Sequence, residues 1–325
     1  MDYVRLGASN LRVSRIGFGA MGVGDKRWRS WVLTEDEARP LVRRALEGGI
    51  TLFDTCDYYS AGESERILGR LLKEAARPEE IVIATKLGNP MGKGPNARGY
   101  SRKHIVEAAE ASLRRLGVER IDLLQTHIWD ATTEIDEMVA AFDDLVRSGK
   151  VLYVGATDMP CWQFAKSVYT ARLRGLSAFV SMQNHYNLVW REDEREMIPF
   201  CQAEGIGLVP YSPLARGHLC GLARARDQRT ERSRTDDLAG KWYGRPEDAK
   251  VAETVEAVAA ARGAEPAQVA LAWVLNKLPD AAPIIGATRI EHLDAAIAAL
   301  SLKLAPAEVT RLESGYLPRA RAGHT

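Results

Sequence analysis

Cysteine is scarce in this chain and never paired: Cys56, Cys161, Cys201 and Cys220 lie far apart, with no Cys-x-x-Cys spacing among them. That pattern excludes a disulfide framework and a zinc site of the usual spacing, so no metal is expected. Cys56 reads as a small buried residue rather than a reactive thiol. No apolar run reaches membrane-spanning length, and the start, Met1-Asp2-Tyr3-Val4-Arg5, lacks the charged stretch and apolar core of a secretory leader. An excess of one charge sign is missing too. Lysine plus arginine number 44 against 43 aspartates and glutamates, and the basic residues are scattered, which removes the electrostatic footprint for nucleic acid or an anionic membrane. The expectation is a cytoplasmic protein with a small-molecule partner, either a monomer or a homo-oligomer.

What is present is a hydrophobic fraction of 46% and a charged fraction of 27% over 325 residues, enough to bury a sizeable core. Short apolar or β-branched runs alternate with amphipathic stretches, the pattern of parallel strands joined by crossover helices. Eight such runs occur, at 16–18, 51–54, 81–85, 121–125, 151–155, 179–183, 207–211 and 283–286. Most are short and uniformly apolar, as strands buried on both faces are. Helix signals lie between them. Thr34 with Glu37 forms a capping box ahead of a helix stopped by Gly48-Gly49; Ser101 opens one that Gly117 ends; Thr133 opens one ending near Ser148-Gly149. Residues 245–262 and 266–275 supply two more. The fold class this predicts is α/β, a (β/α)8 TIM barrel forming one domain over residues 1–325. Ahead of the first strand, Val4-Arg5-Leu6-Gly7 and Leu11-Arg12-Val13 flank Ala8-Ser9-Asn10 as an N-terminal β-hairpin placed to plug the barrel bottom.

Three segments, 22–33, 88–100 and 217–244, are too long and too rich in glycine, proline or charge to be simple connectors. All follow carboxyl ends of strands, the face where barrel enzymes build their sites. The run Gly17-Phe18-Gly19-Ala20-Met21-Gly22 matches a dinucleotide-binding G-x-G-x-x-G. A Rossmann turn needs a helix to open there, however, and none is signalled before Thr34. The glycines are instead expected to let backbone approach a ligand across the barrel mouth.

The chemistry-bearing residues sit at strand ends. Phe53-Asp54-Thr55-Cys56-Asp57-Tyr58-Tyr59 closes strand two, Ala84-Thr85-Lys86 closes strand three, and Gln125-Thr126-His127 closes strand four. In a barrel these ends are neighbours, so an acid, a phenol, an ammonium and an imidazole converge. At this point the chain resembles the aldo-keto reductase superfamily along essentially its whole length. The resemblance is nearest to a bacterial NADPH-dependent branch, through Ser181-Met182-Gln183-Asn184-His185-Tyr186-Asn187-Leu188 and Tyr211-Ser212-Pro213-Leu214-Ala215-Arg216-Gly217. It implies a catalytic tetrad of Asp54, Tyr59, Lys86 and His127, with Tyr59 selected over Tyr58 by the family spacing.

The implied activity is reduction of an aldehyde, ketone or keto-sugar carbonyl with NADPH. Tyr59 would give the proton, its phenol lowered from an ordinary pKa of about 10 by the Lys86 ammonium. Asp54 would hold Lys86 charged, and a neutral His127 would hydrogen-bond the substrate oxygen. The resemblance further implies that NADPH/NADP+ is held by Gly19, Met21, Asp54, Thr157, Gln183, Tyr211, Ser212, Pro213, Leu214, Ala215, Gly217, Gly286, Thr288, Arg289 and His292. Arg289 would favour the 2′-phosphate. Asp158 stands where relatives usually carry asparagine and, when ionised, cannot donate a hydrogen bond; Ala295-Ala296 replaces the Glu-Asn that many carry, so adenine contacts are expected to be weaker or differently made, with His292 as a substitute. Trp28, Tyr58 and Trp129 are expected to wall the substrate pocket. Two other functions fit parts of the pattern: a cofactor-binding regulatory subunit of the same fold with little turnover, and an isomerase or aldolase using Lys86 as a Schiff base. Asp54 beside Lys86 opposes the second, because a charged lysine is a poor nucleophile.

Overall fold

The computed structural model describes residues 1–221 and 231–320. The hairpin comes first, β1 (Tyr3–Arg5) paired antiparallel with β2 (Arg12–Ser14), Val4 opposite Val13. Eight parallel strands follow: β3 (Gly17–Gly19), β4 (Leu52–Asp54), β5 (Val82–Leu87), β6 (Ile121–Thr126), β7 (Val151–Thr157), β8 (Phe179–Gln183), β9 (Gly207–Leu208) and β10 (Ile284–Ile285). They pair in the order β10-β3-β4-β5-β6-β7-β8-β9. The Ala282 and Ile284 N–H groups donate to the Leu208 and Pro210 carbonyls at 3.0 and 2.8 Å, which closes the sheet into a (β/α)8 barrel. All eight expected strands are present. The last two are shorter than expected: Pro210 has no N–H to offer the ladder, and Ser212 already turns the chain at φ +52°.

Helices α1 (Glu35–Glu47), α2 (Glu63–Ala75), α3 (Arg102–Leu116), α4 (Ile135–Arg147), α5 (Cys161–Leu173) and α6 (Met197–Glu204) alternate with the strands. Farther on come α7 (Glu231–Thr235), α8 (Asp237–Trp242), α9 (Pro246–Arg262), α10 (Pro266–Lys277), α11 (Ile290–Ala299) and α12 (Pro306–Glu313). The caps expected at Thr34 and Ser101 are in place, but Thr133 does not open α4: the N-cap is Glu134, and the buried Thr133 hydroxyl has no partner among the described residues. Thr34 donates through both its N–H and its hydroxyl to Glu37 at 2.8 and 3.0 Å, and Ser101 Oγ accepts the His104 N–H. Residues 222–230, inside the long segment 217–244, lie outside the described residues. Among the described residues no helix is long and apolar enough to cross a membrane.

The core has two parts. The larger lies between strands and helices; the smaller fills the barrel, where Leu6 and Val13 of the hairpin join Leu52, Val82, Leu123 and Ile284. The hairpin is therefore a plug, and Ala8 N–H ties it to the Gly205 carbonyl at 2.6 Å. Behind it the buried Arg15 guanidinium donates to three carbonyls, those of Ala281, Leu275 and Leu278, joining the chain start to the end of α10.

In the G-x-G-x-x-G run a 3-10 turn spans Ala20–Gly22, and no α-helix follows until Glu35. The first two glycines also have a packing role. A Cβ at Gly17 or Gly19 would stand 2.6 Å from a methyl of Ile284 inside the barrel, so they permit close packing of β3 on β10. Gly19→Ala is accordingly expected to lower stability by about 1–3 kcal/mol through overpacking, measured by urea unfolding, with nucleotide affinity unchanged. Unchanged stability with weakened nucleotide binding would support the ligand-approach role instead.

Candidate active site

Strand alternation turns Leu52, Val82 and Leu123 inward at the lower part of the barrel and Asp54, Lys86 and Gln125 inward two or four residues later, at the carboxyl-end mouth. The apolar interior thus gives way to a polar layer. Lys86 is fully buried, and its ammonium donates to Asp54 Oδ2 at 2.6 Å and to the Thr55 carbonyl at 2.9 Å. Gln183 and Gln125 donate their side-chain N–H groups to the other Asp54 oxygen at 2.8 and 3.3 Å. Burial pushes the Lys86 ammonium down, but Asp54 and the neighbouring Tyr59 and Cys56 outweigh it, and the net direction is up. Lys86 therefore stays charged.

The Lys86 Nζ lies 5.2 Å from the Tyr59 ring centre. Tyr59 is half-buried, meets the His127 ring edge-on at 5.8 Å and lies 6.4 Å from the Trp28 ring. Tyr58 is 39% exposed and its ring meets Trp28 edge-on at 6.1 Å, so position separates the two tyrosines. One expectation is corrected here. Burial raises the Tyr59 phenol above its ordinary value, and Lys86 offsets only part of that rise rather than producing a net lowering.

His127 is held by the segment 88–100. The Tyr100 hydroxyl accepts the His127 backbone N–H at 2.9 Å and donates to the Ile128 carbonyl at 2.6 Å. Gly88, at φ +118°, leaves room for it: a Cβ there would stand 2.4 Å from the Tyr100 hydroxyl oxygen. Two groups meet the ring at Nδ1, the Asn89 amide nitrogen at 2.5 Å and Cys56 Sγ at 3.0 Å. Burial, reinforced by Lys86, pulls the imidazole down to about 3, so it is neutral at ordinary pH.

Around this centre lie buried polar atoms without partners among the described residues: the Thr157 and Ser181 hydroxyls and both amide atoms of Asn184. Gln183 spends its N–H on Asp54, as above. Asp158, at φ +38°, accepts the Tyr211 hydroxyl at 2.7 Å, and the Tyr211 ring stacks on His185 at 5.0 Å, which covers one of its faces. Ser212, Ala215, Arg216 and Gly217 all have positive φ, between +48° and +100°, which curls this segment around the half-buried Leu214 and buried Pro213. Gly286 and Arg289 are exposed at the end of β10, Arg289 caps α11, and the Thr288 N–H meets His292 Nδ1 at 3.4 Å. Met21 is half-buried in the turn after β3, and Trp129 packs partly buried against the core.

One cluster escaped the sequence. Asp236, buried, is met by Arg216 at 2.6 Å, Arg232 at 3.2 Å and Arg29 at 3.9 Å. Arg232 also covers the Trp31 ring at 4.4 Å, and its Nη1 is 3.8 Å from where a Gly286 Cβ would stand. Three guanidinium groups share one carboxylate, leaving surplus positive charge beside the Gly286 turn. Burial and the neighbouring Arg216 pull Arg232 down to about 10. Arg29 comes from a segment more than 180 residues from the others, and only the Arg232–Asp236 pair, four residues apart, is local.

Comparison with known proteins places the chain among reductases. The chain is 40% identical to versiconal hemiacetal acetate reductase of Aspergillus parasiticus, over 98% of each chain. It is 38% identical to aldo-keto reductase AMT2 of Alternaria alternata, over 99% of this chain and 94% of that one. An aldo-keto reductase of Fusarium vanettenii is 37% identical over 100% of this chain and 94% of its own. All three are fungal, and none supports placing the chain in a bacterial branch. The profile of the Aldo/keto reductase family matches residues 15–316, and the chain belongs to that family.

Proposed function

We propose that this chain is an NADPH-dependent carbonyl reductase built as one domain, acting on aldehydes or ketones with an aromatic or extended apolar body. The observation that carries this is the buried Asp54–Lys86 pair beneath the Tyr59 ring, with a neutral His127 beside it. When bound, the nicotinamide cofactor supplies a hydride to the carbonyl carbon. The chain's own residues manage the oxygen. Tyr59 gives it the proton, Lys86 favours the phenolate left behind, and Asp54 keeps Lys86 charged and aimed. His127, uncharged, offers a hydrogen bond without competing for the proton. Trp28 and Tyr58 wall the substrate side.

The residues at the mouth suit a dinucleotide. The unpartnered Thr157 hydroxyl and Asn184 amide suit a carboxamide, in company with Gln183, and the open face of Tyr211 suits a nicotinamide ring. Asp158 acts indirectly, by fixing the Tyr211 hydroxyl. The curled segment Ser212, Pro213, Leu214, Ala215 and Gly217 and the surplus charge of Arg29, Arg216 and Arg232 suit the pyrophosphate. Gly286, Thr288, Arg289 and His292, opening α11, suit the adenosine phosphate.

The test is nucleotide affinity by quenching of tryptophan fluorescence. Wild type should prefer NADPH over NADH, and Arg289→Ala should weaken NADPH about tenfold or more, the worth of one charge-assisted contact, with NADH unchanged. Equal wild-type affinity for both nucleotides would remove the NADPH assignment.

A further inference from the structure

Asp57 takes no part in the proposed proton transfer, yet it is fully buried beside it. Its Oδ1 accepts from Cys56 Sγ at 3.3 Å, and that sulfur lies 3.0 Å from His127 Nδ1. Its Oδ2, closed to solvent, has no partner among the described residues, and Asp57 backs onto a cavity of about 440 Å³ between the segment 88–100 and α3. The rim of that cavity, at Gly94, Pro95 and Asn96, is exposed, and proton exchange with Asp57 is assigned to this side. We infer that Asp57 is a positioning residue that decides, through the Cys56 thiol, which nitrogen of His127 carries the proton. The ring then meets a substrate oxygen either as a donor or as an acceptor.

The Cys56 thiol has a single hydrogen to give. When Asp57 is protonated, its O–H donates to Sγ, the S–H turns to Nδ1, and the ring proton sits on Nε2. When Asp57 is ionised, the S–H is drawn to Oδ1, Sγ becomes an acceptor for an Nδ1–H, and Nε2 is bare. Asn89 serves either state by presenting its amide nitrogen or its oxygen to Nδ1. The only proton gained or lost overall is the one Asp57 exchanges with the cavity.

The surroundings place the change in a useful range. Burial, reinforced by Glu65 of α2, pushes Asp57 up to about 7, and Arg115 of α3 opposes this only partly because it is bonded to Glu65 at 2.5 Å. Across the cavity stand His104 and Glu107 of α3, while the lining from segment 88–100 is uncharged. Burial and Asp57 push the Cys56 thiol up, so it keeps its hydrogen in both states. Lys86, the charged neighbour of His127, helps keep that ring neutral throughout. Resting on the reductase function proposed above, the donor state serves carbonyl reduction below the Asp57 transition. The acceptor state serves alcohol oxidation above it.

The experiment is long-range 1H–15N correlation on the 15N-histidine-labelled full chain from about pH 5.5 to about pH 8.5, with reductive turnover followed over the same range. Wild type should move the His127 proton from Nε2 to Nδ1 as pH rises, with no gain of charge, and its reductive turnover should fall about tenfold per unit above the transition. Asp57→Asn, whose amide still donates to Sγ, should hold the Nε2–H form and a flat turnover profile throughout. Cys56→Ala should abolish the coupling and leave the ring insensitive to Asp57. A wild-type ring that never changes tautomer, or a change that survives in either variant, overturns the inference. A tautomer change in a protein that reduces no carbonyl would leave Asp57's control of the ring standing and overturn the reductase function instead.

Discussion

Tyr59→Phe is expected to lower NADPH-dependent reduction of an aromatic aldehyde by about 10²–10⁴-fold, read as loss of reduced-nicotinamide absorbance. Only the hydroxyl is removed. The ring remains to pack on His127, Trp28 and the Lys86 ammonium, so nucleotide affinity and thermal unfolding should stay near wild type. A fall in kcat with little change in KM is therefore the signature, because the lost proton donor acts only as charge develops on the oxygen. A variant keeping more than about a tenth of the rate would show that another group supplies the proton. His127 and Tyr58 would then be the next residues to replace.

Lys86→Met should be the most destabilising change at the site. Asp54 is 3% exposed, and without the ammonium its side-chain donors among the described residues are the two glutamine N–H groups. An isolated buried carboxylate costs about 3–5 kcal/mol when its partner is removed, so unfolding should shift to markedly lower urea and turnover should vanish. The double change Asp54→Leu with Lys86→Met removes both charges and should regain much of the stability but none of the activity. That non-additivity measures the coupling. If Lys86→Met alone unfolds like wild type, water or a rearranged neighbour has replaced the ammonium and the pair is not a sealed one.

The barrel and its chemical centre were readable because both are written locally. Asp54, Lys86 and His127 each stand at or just beyond the end of a short apolar run, and the rule that parallel strand ends converge carries them together without any long-range information. Thr34, Ser101 and Gly117 mark helix ends by the same local logic. What could not be read depends on partners distant in the chain. The packing role of Gly17 and Gly19 shows only once Ile284 is seen beside them. The Arg29, Arg216, Arg232 and Asp236 cluster joins two loops with no shared pattern. The Tyr59 phenol was misjudged because a sequence shows the charge of Lys86 but not the depth of burial, and here burial wins. Helix α5 has little amphipathic contrast and α6 is short, so their periodicity was weak; tertiary packing, not local preference, makes them helical.

Arg15 and Ala281 are 266 residues apart in the chain, and β3 pairs with β10 over a similar distance. A ribosome extrudes Arg15 and β3 some 266 residues before Ala281 and β10. Until then the hairpin plug has no interior to enter, and the edge of β3 has no strand beside it. Loop-closure entropy makes such a pairing a late event, so the nascent chain carries an open parallel sheet edge through most of its synthesis. The closing stretch around Arg15, Leu278 and Ala281 is thus where folding is completed, and where a growing chain is most exposed to pairing with another copy of itself.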